Sequence, residues 1–159
     1  MKSDENIMRR CIKLAQQALR NGDNPFGCVI TKRDRIVTEA RNNTKGRNDV
    51  SKHAEIIAMG RAQKLLRTTN LSDYTLYSNC EPCAMCSYVI RELKFGKVVF
   101  GIRSPIMGGY SKWRILEDPG LTSLKLFFGK PPKVIAGLLE QEASEVFEKH
   151  GRLLKKFQG

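Results

Sequence analysis

The sequence has no run of apolar residues approaching the ~18 that a transmembrane helix needs, so no membrane span is expected. Its N-terminus lacks the apolar core of a signal peptide, and Asp4 and Glu5 argue against an organelle-targeting helix, which is poor in acid. The cysteines number 5 (Cys11, Cys28, Cys80, Cys83 and Cys86), an odd count without the spacing of a secreted disulfide framework. These absences make a reducing, cytoplasmic setting the expectation. Acidic residues are scarce, 16 against 28 Lys and Arg, for a net charge of +12. A balance that basic suits an anionic partner such as nucleic acid. The basic residues are spread out, however, with only a modest cluster at Arg41, Lys45, Arg47 and Lys52, and a solvated surface accounts for them equally well. Repeats, low-complexity tracts and linkers are also missing. The 159 residues therefore read as one domain, long enough to bury a core without disulfides or structural metals.

What is present is a pair of motifs. Pro82-Cys83-Ala84-Met85-Cys86 places two soft ligands three residues apart, where apolar side chains at helical spacing begin. With Pro82 at the first helical position, Cys83 and Cys86 share a face of the first turn, where unpaired N–H groups and the helix dipole favour thiolate. His53-Ala54-Glu55 opens another apolar-periodic segment upstream. One imidazole, two thiolates and one unattached carboxylate fit a zinc ion with three protein ligands, an open position for water, and a general acid/base beside it. Two other readings stay open. Cys80 would close a structural Cys3His site, and Cys-x-x-Cys alone is also a redox motif, although that reading has no use for His53.

The surrounding pattern predicts a helix from Ser3 to Asn21-Gly22 with an apolar stripe through Met8, Cys11, Ala15 and Ala18. Strands at 27–31 and 35–40 form a hairpin, and a basic loop over 42–51 leads to a second helix whose apolar positions include Ile56, Ile57, Met59, Ala62, Leu65 and Leu66. Strands at 74–78 and 97–102 flank the cysteine helix and should be parallel neighbours by the right-handed crossover rule. A helical turn over 113–117, a fifth strand at 133–139 and a last helix over 140–157 complete the chain. The expected fold is α/β, three layers α/β/α around a central five-stranded mixed sheet.

With these motifs in order, the chain resembles the cytidine-deaminase superfamily, in the branch of guanine deaminases, cytosine deaminases and tRNA adenosine deaminases. Asn24-Pro25-Phe26-Gly27-Cys28, Asn42-Asn43, Ser78-Asn79-Cys80-Glu81-Pro82-Cys83 and Lys97-Val98-Val99-Phe100-Gly101 carry the likeness over about residues 5 to 115. The resemblance implies a single zinc-dependent deaminase domain over 1–159, with one zinc per chain on His53, Cys83 and Cys86 and a bound water or hydroxide. Glu55 would shuttle protons, and Phe26, Asn42, the backbone at Ala54 and Trp113 would hold the substrate. It also implies a homodimer. The expected activity is removal of an exocyclic amine, as ammonia, from a small nucleobase, nucleoside or related amino-heterocycle. A tRNA adenosine deaminase forming inosine is the alternative, with tRNA as partner. From another class, a non-catalytic zinc-stabilised nucleic-acid-binding module stays open. Guanine deaminases read guanine with a carboxylate after the fourth strand and a tyrosine near the C-terminus. Here Trp113-Arg114 occupies the first region and Phe157-Gln158-Gly159 ends the second.

Overall fold

The computed structural model describes residues 2–148. Calls on His150, Leu153, Leu154 and Phe157 lie outside them. Five strands line up as β2-β1-β3-β4-β5. These are β1 (Gly27–Lys32), β2 (Arg35–Arg41), β3 (Tyr74–Cys80), β4 (Lys97–Ile102) and β5 (Lys133–Ala136). The β1/β2 and β1/β3 pairs are antiparallel, β3/β4 and β4/β5 parallel. The sheet is mixed, and the expected parallel pairing of the third and fourth strands holds.

Alternation along the strands builds the two cores. Cys28 and Ile30, Leu76, and Val98 and Phe100 face one side, against Ala58, Met59 and Ala62 of α2 (Ala54–Leu66) and Ile90 of α3 (Ala84–Glu92). Their neighbours Val29, Tyr77 and Val99 face the other, against α1 (Lys2–Arg20) and α5 (Glu140–Glu148), through Met8, Cys11, Ala15, Ala143, Val146 and Phe147. This is the three-layer α/β/α arrangement. α1 approaches β1 so closely that a Cβ on Gly27 would overlap the Cys11 carbonyl, which explains glycine at the head of the strand.

Several boundaries differ from the sequence pattern. α1 already begins at Lys2, before Ser3. Pro82 precedes the N-cap of α3 and does not open the helix, because Cys83 is extended (φ −68°, ψ 178°) and pairs with Gly108 in an isolated antiparallel bridge. Leu65 is 65% exposed and no part of the apolar face of α2. β5 stops at Ala136, where Gly137 turns with φ +83°. The helical turn narrows to a 3-10 turn at Ile115–Glu117, followed by α4 (Pro119–Ser123), which five residues containing Gly120 do not reveal as a helix.

α1 is pinned to the sheet by Asp4. Its carboxylate accepts from the Tyr77 hydroxyl and from Lys97 Nζ at 3.1 Å. Burial works to raise the Asp4 pKa, but these donors win and hold it below the usual carboxylate value. A carboxylate lowered in the folded state contributes stability that is full above about pH 4 and is lost as pH falls through its folded value. Asp4→Asn is therefore expected to cost about 1–2 kcal/mol at neutral pH. The variant's melting temperature should also fall less than the wild type's between about pH 5 and about pH 3, as read by circular dichroism.

Candidate functional site

α2 and α3 lie on the same face of the sheet and begin side by side, with His53 and Cys83 as their N-caps. N-caps are commonly Ser, Thr, Asp or Asn, whose side chains bond back to the first turn. Here neither side chain makes such a bond, so both remain available to a ligand. His53 Nδ1 lies 3.5 Å from Cys83 Sγ and 3.6 Å from Cys86 Sγ. All three donor atoms fall within 4.8 Å of one another. A tetrahedral zinc with Zn–S near 2.3 Å and Zn–N near 2.0 Å puts its nitrogen and sulfur ligands about 3.5 Å apart. The donor set and its spacing thus fit one zinc. Cys80 is not in the group, although it is three residues from Cys83, because it ends β3 and packs against the core on the opposite face of the sheet.

The two sulfurs differ in character. A hydrogen bond from Cys86 holds the Cys83 thiol down to about 4, against the opposing effect of burial. The same bond, with burial, pushes Cys86 well above the ordinary thiol range. The Cys83 sulfur in turn raises the His53 pKa, against burial. Zinc takes both sulfurs as thiolates and imidazole as the neutral base, so loading displaces these protons.

Glu55, in the first turn of α2, is 4% exposed. Its Oε1 accepts from Ser78 Oγ at 2.9 Å, and its Oε2 lies 3.7 Å from Cys86 Sγ. Burial, with help from the Cys83 charge, raises its pKa above the usual carboxylate value, while His53 and Ser78 pull the other way. A carboxyl beside the metal ligands, poised to hold or release a proton, is the arrangement for a general acid/base.

The remaining expected site residues are placed as follows. Ala54 is fully buried at the start of α2. Asn42 is 2% exposed; its amide donates to Asp23 at 2.8 Å and to Thr44 at 3.2 Å, while its Oδ1 has no donor among the described residues. Phe26 packs against Phe147 of α5, ring centroids 5.7 Å apart. Trp113 is 57% exposed and carries Lys112 Nζ over its ring at 5.6 Å. Tyr110 packs edge-on against Phe100 and covers the core edge.

Sequence reasoning missed the groups that shape the loops around this centre. Asp23 accepts from the backbone of Asn24, Lys45 and Gly46 as well as from Asn42 and Thr44, folding the basic loop. Asn79 accepts from Gly27 N at 2.8 Å and donates to Pro25 O at 2.9 Å. Glu81, 4% exposed, accepts from the backbone of Ser104, Tyr110 and Ser111 and from the Ser111 hydroxyl. The available signal was a polar residue where a strand leaves the core, as at Ser78, Asn79 and Glu81.

Residues 1–102 match the cytidine and deoxycytidylate deaminase zinc-binding region. The chain belongs to this deaminase family. It is 32% identical over 158 residues to the tRNA-specific adenosine deaminase of Bacillus subtilis (strain 168), covering 98% of this chain and 93% of that protein. Guanine deaminase of the same organism is 41% identical over 83 residues, covering 52% of this chain and 53% of that one. A solved structure from work on A-to-I editing by tRNA:A34 deaminases superposes with a TM-score of 0.78 at 28% identity, over 87% of this chain and 96% of that one. The protein is a zinc-binding hydrolytic deaminase with the cytidine-deaminase fold. No described helix is long and apolar enough to cross a membrane.

Metal analysis of purified protein should find about one zinc per chain. Cys80→Ser is expected to keep it and Cys83→Ser to lose most of it. Loss of zinc on replacing Cys80 would instead indicate a closed four-ligand site.

Proposed function

We propose that this deaminase converts adenosine to inosine in tRNA. The observation that carries this reading is the likeness to a tRNA-specific adenosine deaminase along nearly the whole of both chains. The likeness to guanine deaminase is higher in identity but covers only about half of each chain, 52% of this one and 53% of that one. That higher identity does favour a second reading, a small free nucleobase as substrate. The basic loop from Arg41 to Lys52, leading straight into His53, supports the polynucleotide reading.

In the proposed reaction the amine on C6 of adenine is replaced by a carbonyl oxygen from water, and ammonia leaves. Zinc on His53, Cys83 and Cys86 would supply the Lewis acidity that makes water nucleophilic near neutral pH. Glu55 would take one proton from that water and deliver it to N1 of the ring, then take the second from the oxygen now bonded to C6 and pass it to the departing amine. Its raised pKa suits it to carry a proton through these steps. Ser78, by donating to Oε1, fixes one carboxyl oxygen and leaves Oε2 turned toward the sulfurs. The unpartnered Oδ1 of Asn42 would accept from an N–H or O–H of the bound nucleoside, which would relieve the cost of a buried orphan acceptor.

We infer one such domain over residues 1–159, working as a homodimer. Support for pairing comes from exposed apolar side chains at Met85 and Tyr88 on α3 and at Ile106, Met107 and Trp113 on the loop that follows β4.

Incubation of zinc-loaded protein with an anticodon-arm RNA, free guanine, free cytosine and adenosine, with ammonia and inosine as readouts, tests the substrate. Inosine in the RNA alone is expected; release from guanine with the RNA unchanged would select the second reading. Glu55→Gln should keep its zinc and lose at least ~10²-fold in rate. Full activity in that variant would remove Glu55 from the mechanism.

A further inference from the structure

A cleft of about 360 Å³ opens where α1, the edge strand β2 and α2 meet. None of its lining residues takes part in the chemistry above. Leu14 and Ile57 are among the apolar residues that line it, and Asn43, Arg41, Arg47 and Arg61 bring polar groups to its walls. Three guanidinium groups around one opening repel one another unless an anion lies between them.

Their existing partners do little to relieve this. Glu39 is the carboxylate among the lining residues, and Arg10 of α1 holds both of its oxygens, so its charge is already matched. Arg61 donates to the Glu39 backbone carbonyl at 2.8 Å, a neutral acceptor. Neither Arg41 nor Arg47 forms an ion pair with a carboxylate among the described residues. By contrast, Arg9 is paired to Glu142, Arg10 to Glu39 and Arg114 to Glu117. The cleft therefore gathers cationic donors that the protein itself leaves without anions.

Its position links it to the metal centre. Arg41 immediately precedes the buried Asn42, and Ile57 N donates to the carbonyl of His53 at 3.0 Å. The cleft thus begins about one helical turn, about 5.4 Å along the axis, from the backbone of a metal ligand. The loop that Asp23 folds through Thr44, Lys45 and Gly46 carries Arg47 to the same opening.

We propose that this edge cleft is a phosphate-binding site in which Arg41, Arg47 and Arg61 take the oxygens of one phosphate group. Planar guanidinium forks match phosphate oxygens in pairs, which a lysine cluster would not. The phosphate comes either from the RNA strand adjoining the reacting nucleotide or from a mononucleotide. The RNA source rests on the function proposed above, whereas the site itself does not.

The experiment follows the side-chain Nε–Hε NMR signals of Arg47 and Arg61 in the zinc-loaded, full-length protein. The probes are inorganic phosphate, adenosine 5′-monophosphate and an anticodon-arm RNA hairpin. All three should move both signals, the hairpin at the lowest concentration. In parallel, hairpin affinity is measured against salt for an Arg47→Gln/Arg61→Gln variant and for a Lys125→Gln/Lys130→Gln variant, which removes the same charge elsewhere. The arginine pair should weaken binding by about 10-fold or more and reduce the salt slope by about 1, the value for one lost phosphate contact. The lysine pair should do less. Shifts with phosphate and the mononucleotide, but no hairpin binding by wild type, would uphold the site and assign its phosphate to a mononucleotide, while the tRNA reading fails. Absence of shifts with every probe, or equal weakening by the two double variants, would overturn the proposal. If the arginine variant does not fold, the wild-type titration decides alone.

Discussion

Three ligand atoms from two helices can share one metal only if those helices start at the same place. Everything near the centre serves that condition. β1 and β3 lie side by side, and α2 and α3 are laid on the same face of the sheet they form. The side of α2 that meets the sheet carries Ala54, Ala58 and Ala62, all fully buried and four residues apart, so the helix can settle close to the strands. His53 and Cys83 then stand at adjacent helix starts with their side chains free of capping duty. The positive ends of both helices converge on a cluster of potential thiolates, which suits the electrostatics of each.

Around that condition the protein builds its loops on buried carboxylates and amides. Asp23 and Glu81 each collect backbone N–H groups from loop segments, and Asn79 takes the N–H of Gly27 at the head of β1. A carboxylate that accepts several such bonds is a strong local organiser, because charge-assisted bonds are about twice as strong as neutral ones. The three sit at the end of β3 or just before β1. Loop shape at the site is thereby set from within the core.

Much of this was legible in the residues. His53, Glu55, Cys83 and Cys86 stood out because metal chemistry needs those types at that spacing, and the short apolar, β-branched runs at 27–31, 74–78 and 97–102 marked strands of the sheet. The cap geometry was not legible. Pro82 fits the first helical position by propensity, but the bridge from Cys83 to Gly108, made by a residue 25 positions away in sequence, shifts the helix start by two. Leu65 misled for a related reason: helical spacing cannot say where the sheet beneath α2 ends. The hubs were missed because Asp23 and Glu81 are ordinary acidic residues until the chain wraps around them. The choice between substrate classes was not legible for a different reason, since zinc and a carboxylate act alike on many rings.

Arg91 gives residues 115–129 their path. Fully buried on α3, it donates through Nη1 to the carbonyls of Ile115, Leu116 and Asp118 and through Nη2 to Thr122 Oγ1 and the carbonyl of Gly129. One fork therefore satisfies five acceptors of a segment that has only two short helical turns of its own. A lysine offers three donors at a single point and could not span them. In evolutionary terms the arginine and the route of residues 115–129 form one heritable unit. Neither can drift without the other, so a lineage that replaces Arg91 must redraw this side of the molecule at the same time.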